Sequence, residues 1–270
     1  MEQSGASPPE TVRDRIAQFE GAHDLLVFFP LISITLSEAA LFGGRVELAL
    51  WGHFLTLLGC VFVPLVVEDG SVSQVFALIS VFRLINIGVP PFVDNTLSFI
   101  AVVYVLVSPA VYVIARRGRT HPIREHPRFA LVGLIPAVLA GGVLAEIEYA
   151  ILQPESLVPA LTPTTGMTIV GVMLFVGVIE EVIYRGLLQP FLQERVGRWG
   201  GILATALLYG TMHSAYGDLA PIAFAVGFGV LVGYLYDRTD SMAHVVLIHG
   251  SLNVFLFALI PLNGSMFAAL

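Results

Sequence analysis

Nine apolar runs separated by short polar stretches organise the chain from Leu25 to Ile260. They are Leu25–Phe42, Val46–Val67, Val75–Phe92, Leu97–Ala115, Phe129–Leu152, Met167–Pro190, Gly201–Ala215, Leu219–Tyr236 and Met242–Ile260. A helix crosses a bilayer with roughly 20 mainly apolar residues, and most of these runs approach that length. The pattern predicts an all-α, polytopic transmembrane bundle of about eight helices (eight or nine). The first and third runs are the weakest, because one carries Pro30 and Glu38 and the other Arg83. No repeat of fixed period is visible.

Composition agrees with this reading. Of the 270 residues, 56% are hydrophobic and only 12% charged, about half the charge of an ordinary soluble domain. The partner implied is the lipid bilayer. All 13 basic residues are arginine and the net charge is −7. With no basic stripe carrying interleaved aromatics, a nucleic-acid partner is excluded. The single cysteine, Cys60, can form neither an internal disulfide nor a thiol metal cluster, and reads as small apolar filler. Residues 1–22 are polar and of mixed charge, without the basic start and apolar core of a signal peptide. They are expected to form a cytoplasmic tail, followed by N-terminal transmembrane helices over 23–128 and a catalytic transmembrane unit over 129–265.

Arginine in short loops orients such helices. The segment "ARRGRTHPIREHPRF" carries five arginines from Arg116 to Arg128 and is expected in the cytoplasm. Going forward, residues 153–166 carry no basic residue and fall outside, Arg195 and Arg198 fall inside, and Arg238 falls inside again. Going backward the alternation strains near Glu68, which leaves the parity of the first three spans open. The expected location is the cell membrane, multi-pass, with a cytoplasmic N-terminus.

Ionisable residues at membrane depth face the bundle interior and mark function. Three polar sets fit that description: Glu180, Glu181 and Arg185 in "EEVIYR", Tyr209 and His213 in "YGTMH", and His249 and Asn253 in "HGSLN". Glu181 and Arg185 stand four apart on one helix face and can pair. Glu180 is rotated from Glu181 by about 100° and faces elsewhere. Tyr209 with His213, and His249 with Asn253, likewise share faces. At 1.5 Å per residue, Glu180 lies about 15 Å from Pro190, His249 about 12 Å from Ser241 and His213 about 20 Å from Gly200. Three helices thus present polar pairs at a similar depth.

The chemistry these groups allow is water activation. A carboxylate in a low-dielectric cavity is a better base than in water, an imidazole can share the water's proton, and an amide with an imidazole N–H can stabilise an oxyanion. These are the parts of an amide hydrolase without a serine or cysteine nucleophile.

The order Glu-Glu-x-x-x-Arg, aromatic-x-x-x-His, His-x-x-x-Asn on successive apolar helices resembles the CAAX prenyl endopeptidase and bacteriocin-processing (CPBP) family of intramembrane proteases. The resemblance covers about Met167 to Ile260. One departure is Tyr209, where the family usually has phenylalanine. The resemblance implies that Glu180 and His213 hold the attacking water, that His249 and Asn253 form the oxyanion site, and that Glu181 and Arg185 form an ion pair beside them. It implies an endopeptidase acting on a peptide or protein substrate, lipidated or not, near the cytoplasmic leaflet, with no cofactor.

Two other readings stay open. Two histidines and two glutamates could ligate zinc, although His-Glu-x-x-His is absent and the donors are spread over three helices. Buried Glu and His also build proton relays, so a proton-coupled transporter or an immunity-type scaffold is the non-enzymatic alternative. Outside these sets, His53 and His244 are expected to be structural or interfacial. Glu146 and Glu148 are expected near the outer face, snorkelling or hydrated. Arg83 is expected to pair with Asp94 or Glu68. The glycines of "AVGFGVLVGYLY" are expected to serve close helix packing.

Overall fold

The computed structural model describes residues 22–62, 71–89, 93, 95–117 and 127–265, and of residues 22–27, 71–72, 117 and 127–132 only the backbone. The tail before residue 22, most of the five-arginine loop, Glu68 and Asp94 lie outside the described residues.

The described residues form helices and connecting turns, with no strand. In chain order the helices are α1 (Ala22–Phe42), α2 (Val46–Phe62), α3 (Ser71–Gly88), α4 (Thr96–Arg117) and α5 (Pro127–Leu152). Then come α6 (Pro163–Glu181), a π-helical turn (Val182–Leu188) and α7 (Gln189–Thr211) as one continuous run. After a 3₁₀ turn at Ser214–Tyr216 follow α8 (Leu219–Thr239) and α9 (Met242–Val254). The last run continues through a π-helical turn (Phe255–Leu259) into α10 (Ile260–Asn263).

These elements reproduce the apolar runs. Five stretches are long and apolar enough to cross a membrane, Thr96–Arg116, Gly133–Leu152, Pro163–Tyr216, Leu219–Thr239 and Met242–Asn263. Three shorter apolar helices, Phe28–Phe42, Val46–Phe62 and Ser73–Gly88, precede them. Large apolar side chains point outward, among them Ile135 at 73% and Met167 at 77% exposure. Lipid covers such surfaces without penalty, whereas water would not. The chain is a multi-pass integral membrane protein.

Local chemistry sets the element ends. α6 starts at a capping box in which the Thr162 side chain and the Thr165 backbone and hydroxyl satisfy one another, with Pro163 in the first helical position. The box satisfies two N–H groups that a helix start leaves open, and the proline removes another. α8 is capped by Asp218, whose carboxylate accepts from the Ala220 N–H at 3.0 Å. Inside α7 the backbone breaks at Gly197, with φ 78° and ψ 168°. That left-handed φ strains any side chain other than hydrogen. The kink at Gly197 separates the two apolar runs that meet there.

The core is assembled around α9. It packs against α5 and α6, while α7 packs against α8 and α1–α3 pack on one another. The approach of α6 to α9 requires glycine. A Cβ on Gly250 would stand 3.0 Å from Cα of Leu174 and 2.6 Å from its Cδ2. A Cβ on Gly177 would meet the Gly250 N and the Val246 O, each at 3.2 Å. Small residues admit such close crossings in membranes, and this one brings Glu181 beside His249.

Candidate active site

Glu180 and Glu181 are the last two residues of α6, and the rotation between them separates their surroundings. Glu181 is fully buried and Glu180 lines a cavity of about 170 Å³. His213, His249, Asn253, Tyr104 and Glu148 line it too. The space is sufficient for several water molecules.

The expected ion pair is present. Arg185 lies in the π-helical turn after α6 and, like Glu181, has no exposed surface. Its Nε stands 3.2 Å from Glu181 Oε2, and its Nη1 donates to Oε1 at 3.3 Å. Nη2 donates to the Gly229 carbonyl at 3.3 Å, and the guanidinium sits 4.9 Å from the Tyr209 ring centroid. A guanidinium keeps its charge when buried, so Glu181 is required for its presence. π-helical turns cluster at functional sites, and the buried arginine occupies this one.

Glu181 has a second partner that the spacing did not reveal. His249 Nδ1 donates to Glu181 Oε1 at 2.7 Å. A carboxylate only accepts, so the proton is on Nδ1. The other ring nitrogen, Nε2, stands 3.7 Å from Glu180 Oε2. One imidazole therefore joins the buried ion pair to the cavity carboxylate. Phe228 and Tyr209 hold the ring edge-on, at centroid distances of 5.1 and 6.1 Å.

His213 closes the opposite wall. It follows α7 with φ −92° and ψ 8°, already outside helical geometry. Its Nδ1 donates to the Tyr209 carbonyl at 3.3 Å, which leaves Nε2 as an acceptor in the neutral ring. Tyr209 and His213 rings meet at 5.2 Å, and Tyr216 stacks on His213 at 6.2 Å. Tyr209 thus touches Arg185, His213 and His249 at once. Asn253, one turn after His249 on α9, completes the lining.

Two lining residues come from helices that the sequence pairs did not include. Tyr104 on α4 donates its hydroxyl to Glu180 Oε1, so Glu180 has a hydrogen-bond partner after all. Glu148 on α5 is 7% exposed and faces the cavity, not the outer surface. Glu146 is buried as well, and accepts from the Ser265 hydroxyl at 2.5 Å. The expectation of snorkelling for both fails because α5 packs along α9 there. An isolated carboxylate in an apolar run was the available signal for Glu148; nothing in sequence singled out Tyr104. Among the described residues, no group of three or more His, Cys, Asp or Glu side chains is arranged to hold a metal ion.

Comparison with known proteins falls on the same segment. Residues 162–255 match the family model described as type II CAAX prenyl endopeptidase Rce1-like. That stretch runs from the cap of α6 to just beyond Asn253 and contains all three polar sets. A protein of Bacillus subtilis (strain 168) named "Putative membrane peptidase YdiL" is 23% identical over 172 residues, covering 60% of this chain and 68% of that protein. No solved structure matches. The motif resemblance and the family model agree, and at family level they support a membrane peptidase of the CAAX protease type.

Proposed function

We propose that this protein is an intramembrane endopeptidase that uses Glu180 to activate water for peptide-bond hydrolysis. The observation that carries the reading is the convergence of Glu180, His213, His249 and Asn253 on one cavity inside a membrane-embedded bundle. Tyr104 occupies Oε1 of Glu180, which leaves Oε2 for the water. Oε2 takes one proton as the water oxygen attacks the scissile carbonyl carbon, while His213 Nε2 accepts a hydrogen bond from the second hydrogen, which stays on the attacking oxygen. The charge on the former carbonyl oxygen is met by His249 Nε2–H and the Asn253 amide, in the manner of an oxyanion hole. Nε2 can donate while Nδ1–H is held by Glu181 only in the imidazolium form, whose charge the flanking carboxylates balance. The C–N bond then breaks, and the proton on Glu180 passes to the leaving nitrogen. The products are a carboxylic acid and an amine.

The reaction needs no metal in this scheme, and activity is expected to survive exhaustive treatment with a zinc chelator. The substrate is a peptide or protein, lipidated or not, cut near the cytoplasmic leaflet. The leaflet assignment rests on Arg195, Arg198 and Arg238, which flank the helices bearing the site. The test is incubation of the purified protein with a panel of lipidated and unlipidated peptides, with product ends identified by mass spectrometry. Cleavage at one bond, yielding a new carboxyl and a new amino terminus, is expected. Intact peptides throughout, accompanied by ion-driven uptake into vesicles, would establish the transporter instead.

A further inference from the structure

The two spans that looked weakest are weak because each carries half of one buried network. Arg83 of α3 forks onto Glu38 of α1, Nε to Oε1 at 2.7 Å and Nη2 to Oε2 at 2.5 Å. Among the described residues its carboxylate partner is Glu38; the expected Asp94 and Glu68 lie outside them. His53 of α2 donates from Nε2 to Glu38 Oε1 at 3.0 Å. Arg83, Glu38 and His53 are all buried.

This network ends on the two neighbours of His213. Arg83 Nη2 donates to the Met212 carbonyl at 2.8 Å and to Ser214 Oγ at 3.2 Å. The Ser214 hydroxyl in turn donates to Glu38 Oε2. Helix geometry ends at Met212, whose ψ is −7°, and the His213 N–H reaches back only three residues, to the Gly210 carbonyl at 3.0 Å. Arg83 also donates from Nη1 to Asn86 Oδ1 at 3.4 Å, and Asn86 lines the cavity. The arrangement grips the chain on both sides of one cavity histidine.

We infer that Arg83 and Glu38 are positioning residues for His213, so that helices outside the Rce1-like segment complete the active site. The inference rests on the catalytic reading of His213 given above. A guanidinium fits the task where an ammonium does not, because the planar fork engages Glu38 through two nitrogens while Nη2 still reaches the Met212 carbonyl. A bundle lock alone would need the Arg83–Glu38 pair, but not contacts on residues 212 and 214.

The test is a double-mutant cycle on peptide cleavage. Ser214→Ala loosens the grip without orphaning a charge, and Arg83→Lys keeps the charge but loses the fork. In the wild-type background, kcat is expected to fall on the order of 10-fold for Ser214→Ala and 10²-fold for Arg83→Lys, with KM little changed, as for displaced catalytic groups. In a His213→Ala background both losses should vanish, since there is no ring left to place. Losses of the same size in both backgrounds would overturn the positioning role and leave a structural lock, even with His213 essential. Equal turnover by the wild type and His213→Ala would overturn the catalytic reading first, and the positioning role with it. Ser214→Ala keeps the test open should Arg83→Lys fail to fold.

Discussion

Replacing Glu181 by glutamine tests how the ion pair and His249 are joined. Wild-type Glu181 Oε1 accepts from Arg185 Nη1 at 3.3 Å and from His249 at 2.7 Å, and its Oε2 stands 3.2 Å from the charged Arg185 Nε. A glutamine keeps one acceptor oxygen, which can still receive His249 Nδ1–H. Its NH₂ then faces the guanidinium, donor against donor, and Arg185 is left fully buried without a counter-charge. Breaking a buried pair in this way typically costs about 3–5 kcal/mol. The Tyr209 ring and the Gly229 carbonyl are present in both proteins, so they do not offset the loss. That is a large part of the roughly 5–15 kcal/mol that holds a folded domain together. Adding Arg185→Met removes the orphaned charge, and an apolar replacement of a whole buried pair is often neutral. Thermal melting in detergent beside peptide cleavage reads both effects. Glu181→Gln should melt far below the wild type, and Glu181→Gln/Arg185→Met should recover most of the stability. The double variant should stay impaired in cleavage, because His249 has lost its ionic partner. A Glu181→Gln protein that melts with the wild type, or a double variant with full activity, would refute this reasoning.

Other expectations follow from individual contacts. Tyr104→Phe removes one hydrogen bond to a carboxylate, a loss of about 1.5–3 kcal/mol when the acceptor is charged. The kcat should fall by roughly 10-fold or more, the melting midpoint by several degrees, and an unchanged kcat would remove Tyr104 from the site. Gly250→Ala inserts a methyl group where Leu174 stands within 3.0 Å. Overpacking of that kind costs about 1–3 kcal/mol, so both stability and cleavage should drop, while Gly171→Ala, with nothing near its Cβ position, should not matter. Chelator-treated protein should cleave at the untreated rate. One tightly bound zinc per chain, lost together with activity in His213→Ala, would replace the glutamate mechanism with a metal-assisted one.

The spans were legible in sequence because lipid leaves the backbone no partner but itself, so each crossing must be written as an apolar run. Even the break at Gly197 fell between two runs. The polar pairs were legible for a related reason. A four-residue spacing places two side chains on one face, whatever the rest of the fold does. What could not be read was contact between helices distant in the chain. His249 reaching Glu181, Tyr104 reaching Glu180 and Arg83 reaching Glu38 all depend on which faces α1, α3, α4 and α9 turn toward α6 and α7. Glu38 and Arg83 did carry a usable signal, since two lone opposite charges in the first and third apolar runs are natural partners. Glu148 was misplaced because its position near the end of α5 says nothing of α9 lying across it.

The central claim is that Glu180 supplies the base, and the most direct measurement compares kcat of the wild type and Glu180→Gln on one cleaved peptide. Among the described residues Glu180 contacts no arginine, only the Tyr104 hydroxyl and the His249 ring, whose charge Glu181 also balances. The variant should therefore melt with the wild type and lose on the order of 10²- to 10⁴-fold in kcat, the usual contribution of a general base. A folded Glu180→Gln protein that cleaves at the wild-type rate would contradict the account.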